Sequence, residues 1–346
     1  MAIPSLSQLN KKIGIDLGSS RIRIWSSPGD VVIDEPACLA VDQRSNKVIA
    51  VGKEAKEMQG RLQQQVSVHF PLQQGVLVDA DLLEAMLRVF FQKIIKTTFF
   101  FRPILLVSVP SAITESEKLA LTEVLFRLGV REVNFVDQLL AAAIGAGLPV
   151  ADASGSFMMQ FGAGLVETGI VSLGSLVVTE SSSKAGNYLD LLIQRILKQE
   201  NSLSVGSKQA ELIKQKLISA IPIQKELPIQ GQDLTTGVPK EVLVSSVQFQ
   251  KVIDPILEKY VSLIKKVFEQ VPPELTSDVV DKGILLSGGM AQLAGLDRYL
   301  VSRIGVPTSV VDEPDQVVIK GISQVLQNLE LFRQSVGYRH ESYQNG

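Results

Sequence analysis

Apolar and polar residues follow two periods along the chain, and together they predict strands and helices in an α/β arrangement. Residues 13–25 form two short apolar runs around a glycine turn, with Arg23 interrupting the second run. The spacing at 80–96 is typical of an amphipathic helix, and Thr114 with Glu117 predicts a capping box that opens a helix over 114–128. Further strands are predicted at 31–41, 47–51, 104–109, 133–136, 175–179, 224–244 and 283–287, and further helices at 52–60, 137–146, 188–200, 207–218, 249–270, 293–304 and 315–331.

The opening pattern occurs a second time. Residues 157–171 again predict a strand, a glycine turn and a strand, followed by helices and a further buried strand. Two similar openings in one chain favour two related α/β halves with a cleft between them.

Composition narrows the class of protein. Lysine and arginine number 34 against 36 acids, a net charge of −2 without a block of like charge, which argues against a nucleic-acid binder. Cys38 is the single cysteine and there are two histidines, so a zinc site built from these residues is not expected. The apolar stretch 104–113 is too short to span a bilayer. We therefore expect a cytoplasmic protein.

The first glycine turn contains residue types that could bind a phosphate and a metal ion. In IGIDLGSS, Asp16 stands two residues before Gly18. A glycine turn lets backbone N–H groups approach a phosphate, and a carboxylate beside it can hold Mg²⁺ or its waters. A purely structural β-turn explains the same residues, so this motif alone decides nothing.

The order of the motifs is more specific. IGIDLGSS is followed by EVNFVDQLL at 132–140, the second turn QFGAGLVE at 160–167, and GILLSGGMAQLAGLDRYL at 283–300. This order resembles the phosphate-1, connect-1, phosphate-2 and adenosine motifs of the actin, Hsp70 and sugar-kinase superfamily. Within it the chain looks like the bacterial actin homologue MreB, on stretches that run from about 13 to 327: 48–61, 70–79, 141–150, 169–177, 271–289 and 304–314.

The resemblance implies an actin-like fold of two related α/β lobes that flank a nucleotide cleft. Lobe I would cover 1–150 with a small subdomain at about 34–73, and the C-terminal helix at about 315–335 would pack back on it. Lobe II would cover 151–314 with a small subdomain at about 188–248, and 335–346 would be a disordered tail. The ligand implied is ATP or ADP with Mg²⁺. The metal would be bound at Asp16, and the nucleotide by residues that match the family motifs: Asp16, Gly18, Ser19, Ser20, Gly162, Gly164, Gly186, Asn187, Glu211, Lys214, Gly288, Gly289 and Met290.

The chain departs from the family pattern where the chemistry would be. Amides stand at three positions where the family has acids, Gln138, Gln160 and Asn187, and Asp16 is the acid that remains. Leu165 and Val166 replace two hydroxyl residues that would face the terminal phosphate. An amide cannot act as a general base, and Mg²⁺ prefers charged oxygen ligands. These changes predict degenerate catalytic positions at Gln138 and Gln160 and a weak or inactive ATPase. A conventional ATP-hydrolysing member of the family is the alternative, and for Glu211 and Lys214 an ordinary solvated helix face is another.

The resemblance also predicts partners. Family members form head-to-tail filaments that pair and attach to the inner face of the cytoplasmic membrane, where they guide cell-wall synthesis and determine cell shape. Phe100 and Phe101, in an apolar connector, match the membrane-inserting residues of the family, with burial at the end of the lobe as the alternative. The expected partners are further copies of the chain, the membrane surface, the cell-wall synthesis machinery or an active homologue, and no nucleic acid. A non-polymerising scaffold is the alternative to a filament, and a sugar kinase or a chaperone fits the chain less well.

Overall fold

The computed structural model describes residues 11–27, 29–60, 65–94, 102–329, 332 and 343–344. The chain divides into two compact units. The first comprises Met1–Ser154, Val171–Leu176 and Gln316–Gly346, and the second comprises Gly155–Ile170 and Val177–Asp315. Residues 171–176 group with the first unit, where Leu173 N–H donates to Asp152 O (2.8 Å) and Gly174 N–H to Val150 O (2.7 Å).

The helices and strands agree in most places with the predicted ones. Up to the second glycine turn they are, in chain order, β1 (Lys12–Leu17), β2 (Arg21–Ser26), β3 (Val31–Pro36), β4 (Leu39–Asp42), β5 (Lys47–Val51), α1 (Lys53–Met58), β6 (Val66–His69), β7 (Leu72–Gln73), β8 (Val76–Leu77), α2 (Ala80–Ile94), β9 (Ile104–Val109), α3 (Glu115–Arg127), β10 (Glu132–Asp137), α4 (Gln138–Gly145) and β11 (Ser156–Phe161). They continue with β12 (Val166–Ser172), β13 (Ser175–Ser182), α5 (Gly186–Asn201), β14 (Leu203–Ser204), α6 (Ser207–Leu217), β15 (Glu226–Asp233), β16 (Pro239–Ser245), α7 (Val247–Gln270), α8 (Pro273–Lys282), β17 (Ile284–Ser287), α9 (Leu296–Ile304), β18 (Thr308–Val310), α10 (Val317–Gln327) and β19 (Tyr343–Gln344).

The main sheet of the first unit has the strand order β3-β2-β1-β9-β10-β19. β1, β2 and β3 are antiparallel neighbours, whereas β1, β9 and β10 run parallel. One face carries the core that α2 and α3 complete, with Ile15, Phe90 and Leu125 fully buried. The predicted capping box is present at the start of α3, where Thr114 and Glu117 bond reciprocally.

α4 and α10 pack against each other in the first unit with almost no side-chain layer between their backbones. A Cβ on Gly145 would lie 1.9 Å from Val317 O, and a Cβ on Gly321 would lie 1.9 Å from Ala141 O. Gly14 in β1 also lies very close to α10, since a Cβ at this position would be 2.4 Å from a methyl carbon of Ile322. Glycine at these positions lets α10 lie directly on the sheet and on α4.

A second, small sheet of the first unit has the order β5-β4-β6 and encloses Cys38, Ala40, Ala50 and Ala55. The single strand predicted at 31–41 is wrong: it divides into β3 of the main sheet and β4 of this small sheet. Pro36 ends β3, because proline has no N–H with which to continue the ladder.

The main sheet of the second unit has the order β13-β12-β11-β17-β18. It repeats the arrangement of the first unit: three consecutive strands, then two later strands that run parallel to the innermost of the three. The helices α5, α6, α7 and α9 enclose its core, in which Phe161 and Tyr260 pack edge to face, and β14-β15-β16 form a small sheet. α8 was not predicted: the helix predicted at 249–270 ends before Pro272 and Pro273, whereas Pro273 occupies the first turn of a new helix.

Two predictions concern residues that the structure does not describe. Phe100 and Phe101 lie outside the described residues, and so does the predicted disordered tail 335–346, except that Tyr343 and Gln344 pair antiparallel with β10. Among the described residues, no helix combines the length and the apolar character needed to cross a bilayer.

Candidate functional site

The turn between β1 and β2 is closed by a hydrogen bond from Gly18 N–H to Arg21 O (3.1 Å). A Cβ on Gly18 would lie only 2.7 Å from that carbonyl oxygen, so the turn itself requires glycine. The hydroxyl of Ser19, the next residue, accepts from Gly75 N–H (3.0 Å), while Ser20 O accepts from Ala37 N–H (2.9 Å). Both serines therefore hold the turn against neighbouring parts of the first unit.

The turn between β11 and β12 has the same construction in the second unit. Gly162 N–H donates to Leu165 O (2.9 Å), and a Cβ on Gly162 would again lie 2.7 Å from the accepting oxygen. Gly164 is buried inside this turn, and Val166 is fully buried in the core of the second unit. The repeated opening predicted from the sequence is therefore a repeated turn geometry.

Asp16 and Gln160 occupy matching positions, one in each unit, directly before these turns. Asp16 on β1 is in register with Ser108 on β9, whose hydroxyl donates to Asp16 Oδ1 (3.0 Å). Gln160 on β11 is in register with Ser287 on β17, whose hydroxyl donates to Gln160 Oε1 and lies 3.3 Å from Met159 O. The acid of one unit and the amide of the other are thus both buried and both held by a serine on the adjacent parallel strand.

No role for Arg23 near the first of these turns was predicted from the sequence. Arg23 lies on β2 opposite Asp16 and is 6% exposed, with Nη1 4.0 Å from Asp16 Oδ2 and Nε 3.4 Å from Asp34 Oδ1. Burial raises the pKa of Asp16, while Arg23 and the Ser108 hydrogen bond oppose that rise. The signal was present in the sequence: a charged residue within the apolar run of β2, two residues from Arg21.

Further predicted site residues meet at the start of α5 in the second unit. The first N–H groups of this helix are used by the turn, since Gly186 N–H donates to Gly162 O (3.2 Å) and Asn187 N–H to Ala163 O (2.7 Å). Lys214 on α6 donates to Gly186 O (3.1 Å) and to Asp190 Oδ2 (2.7 Å), so it is held in the interior and is not part of a solvated face.

Gly288, a third predicted glycine, is also required by the fold of the second unit. Gly288 has φ +88° and its Cβ would lie 2.3 Å from Phe161 O, while Gly289 begins a short 3₁₀ helix that also contains Met290. A Cβ on Gly186 would lie 2.9 Å from Met290 Sδ. The structure thus brings the second turn, the start of α5, Lys214 and Met290 together. Glu211 lies half-buried on α6.

In the first unit, Gln138 opens α4 directly after β10. β10 is separated from β1 by β9, and the three parallel strands end at the same edge of the sheet. Asp16, Ser108 and Gln138 therefore lie along one edge, which is where α/β sheets commonly bind ligands.

The surroundings of Asp16 fit Mg²⁺ poorly, because its carboxylate is already paired with Arg23. This ion is usually held by one or two carboxylates together with phosphate oxygens and water. Asp16 is the acid present among the predicted metal and catalytic positions, and its oxygens already face Ser108 and Arg23. Within the described ranges, no group of three or more histidine, cysteine, aspartate or glutamate side chains could hold a metal ion.

The polar residues of the second unit suit a polyanion better than a metal ion. Gln160 and Asn187 are neutral and Lys214 is cationic, so this group repels a phosphate less than the family pattern implies. Neither Gln138 in the first unit nor Gln160 in the second is an acid that could activate water.

Comparison with known proteins assigns the fold. A family model described as MreB/Mbl protein matches residues 10–334. The cell shape-determining protein Mbl of Bacillus subtilis (strain 168) is 34% identical over 92% of the chain and 97% of its own length. The cell shape-determining protein MreB of Escherichia coli (strain K12) is 33% identical over 92% of the chain and 94% of its own length.

Among solved structures, the crystal structure of MreB 5 of Spiroplasma citri bound to AMPPNP is similar, with a TM-score of 0.89 and 29% identity. The match covers 93% of this chain and 97% of that one. This likeness confirms the actin-like fold predicted from the order of the motifs.

Proposed function

The chain belongs to the MreB/Mbl family, and we propose that it is a cytoskeletal filament subunit that takes part in determining cell shape. It binds an adenine nucleotide and hydrolyses it weakly or not at all. The cell-shape role is supported by the two cell shape-determining relatives, which align with nearly the whole chain.

The amide side chain of Gln160 is the observation that best supports weak or absent hydrolysis. Phosphoryl transfer is catalysed by positioning and by electrostatic stabilisation through metal ions and charged groups. Here the position before the second turn is an amide whose oxygen is bound by Ser287, and Gln138 is a second amide at the end of β10. Neither side chain can remove a proton from water.

Nucleotide binding is supported by a relative and by local charge. The related structure from Spiroplasma citri holds AMPPNP. In this chain the two glycine turns are closed by the same type of backbone hydrogen bond, and Lys214 donates to Gly186 O. The residues proposed to contact the nucleotide are those predicted from the motifs, from Asp16 to Met290.

Filament formation is tested by sedimentation and electron microscopy over a range of protein concentrations. The samples contain ATP, ADP, AMPPNP or no nucleotide. The proposal predicts polymer above a critical concentration, and its amount with ATP should not decay with time, because hydrolysis does not destabilise it. No polymer at any concentration, with or without lipid, would contradict the filament and favour a non-polymerising scaffold.

Attachment to the inner face of the cytoplasmic membrane is a separate part of the proposal and rests on Phe100 and Phe101. Exposed aromatic residues favour the membrane interface. The test is co-sedimentation with anionic lipid vesicles, where Phe100→Ser with Phe101→Ser should abolish binding. Leu119→Ser is a matched control, since Leu119 is 49% exposed on α3. Equal binding by all three proteins would contradict this part.

Cell-wall synthesis enzymes or an active homologue are the proposed partners. Co-assembly with a relative that keeps the catalytic acids would couple these filaments to nucleotide turnover by that relative. Mixed filaments in pelleting with a labelled relative would support this, and complete segregation of the two proteins would contradict it.

A further inference from the structure

A row of polar side chains crosses the main sheet of the first unit. Ser108, Asp16, Arg23 and Asp34 stand in register on the neighbouring strands β9, β1, β2 and β3. Residues directly opposite each other across strands have adjacent side chains. The row therefore alternates hydroxyl, acid, base and acid, and its two central members are nearly fully buried.

Arg23 is held by both acids of the row. Its Nη1 lies 4.0 Å from Asp16 Oδ2 and its Nε 3.4 Å from Asp34 Oδ1. A buried guanidinium is costly unless it is paired, so the two carboxylates explain why an arginine is tolerated inside the sheet. It is thereby fixed beside the acid at which the family resemblance places a metal ion.

Arg21 provides an internal comparison. It lies on the same strand, two residues away, and its Nε donates to Asp34 Oδ1 (2.7 Å). Its side chain is 44% exposed, and Nη2 donates to Asp34 O (3.1 Å). The two arginines share one partner, but the contact with Asp16 belongs to Arg23.

We propose that the Arg23 guanidinium takes the place of a divalent cation at Asp16, so that the chain binds an adenine nucleotide without Mg²⁺. The inference rests on the proposed nucleotide binding and specifies its metal requirement. A guanidinium neutralises the carboxylate permanently, because it stays protonated throughout the ordinary pH range. A second cation at the same carboxylate would be repelled by the first.

The test compares the affinity of the purified full chain for ATP in EDTA and in millimolar MgCl₂, by isothermal titration calorimetry. The proposal predicts dissociation constants that agree within about twofold in the two buffers. If EDTA weakens binding by about tenfold or more, the site needs a divalent cation and the proposal is overturned. No binding in either buffer would contradict the proposed nucleotide binding itself, and the inference would fall with it.

Two arginine variants test whether Arg23 is responsible for the metal-independent binding. Arg23→Leu should bind ATP about tenfold or more weakly in EDTA and recover part of the loss with MgCl₂, whereas Arg21→Leu should behave like the wild type in both buffers. Equal behaviour of the two variants would overturn the assignment to Arg23. Thermal unfolding checks that each variant is folded. If Arg23→Leu does not fold, Arg23→Lys replaces it: retained metal independence supports a charge role, and a new MgCl₂ requirement opposes it.

Discussion

Ser108 and Ser287 have the same task in different units. Each lies on the parallel strand next to the one that leads into a glycine turn, and each donates its hydroxyl to the side chain before that turn. The acceptor is Asp16 in one unit and Gln160 in the other. Gln160 therefore accepts from Ser287 the same kind of hydrogen bond that Asp16 accepts from Ser108, but it carries no charge.

We predict that Ser287→Ala destabilises the protein by about 1–3 kcal/mol, because it leaves the buried oxygen of Gln160 without this donor. Ser108→Ala should cost a similar amount, since it removes the hydrogen bond to Asp16. Urea unfolding at neutral pH measures both changes. The control is Ser323→Ala, whose hydroxyl donates to Lys320 O of its own helix (2.7 Å) and which should change stability by less than about 0.5 kcal/mol. A loss in Ser287→Ala no larger than in this control would contradict the role of the hydroxyl.

Cys38 gives a residue-scale prediction that depends on pH. Burial raises the pKa of its thiol from 9.0 to about 11, an effect that Lys56 opposes. At about pH 8 the thiolate fraction should be roughly 100-fold below that of an unperturbed thiol, so reaction with DTNB should be slow in the folded protein and fast in urea. Because the folded state holds the proton more tightly, this contribution to stability is present below pH 9.0 and is lost as pH rises towards about 11. Rapid reaction under native conditions would contradict the buried position.

How much of the site the sequence could predict depends on the type of contact. Asp16, Gln160 and the glycines lie in contiguous motifs, so their positions could be identified one by one. Ser108, Ser287 and Arg23 matter because of strand register, which joins residues far apart in the chain. Pattern analysis does not fix that register, and Ser108 and Ser287 are single polar residues in otherwise apolar strands.

At the scale of elements, helices and strands with strong periodicity were predicted to within a few residues, as α2 and α7 illustrate. The errors occur at prolines, because a proline can end one element or begin the next. Pro36 ends a strand inside a run that looked continuous, and Pro273 begins a helix where a break was expected. Very short strands such as β7 and β14 carry too few residues to show a period.

The contact between α4 and α10 gives the element-scale prediction. We expect Gly321→Ala to destabilise the protein by about 3 kcal/mol or more, because its Cβ would lie 1.9 Å from Ala141 O and a backbone cannot move aside cheaply. Thermal unfolding should show a clearly lower midpoint than for the wild type. Gln327→Ala, an exposed residue of the same helix, should remain within about 0.5 kcal/mol. Equal stability of the two variants would mean that the helices do not pack this closely.

At the scale of the whole molecule, family membership and active-site chemistry point in different directions. The fold and the family match extend over nearly the entire chain. The side chains that would hold a metal and activate water are reduced to Asp16, which is already paired with Arg23. A chain of this kind can keep the assembly of the family while its polymer is not timed by its own hydrolysis.

The most direct test of this account is a paired measurement of ATP binding and Mg²⁺-dependent phosphate release by the purified wild type. A relative that keeps the acids at the four positions serves as the positive control. The account predicts that ATP binds and that phosphate release stays far below that of the positive control. Sustained phosphate release at the rate of the positive control would contradict it and would make the chain a conventional, hydrolysing member of the family.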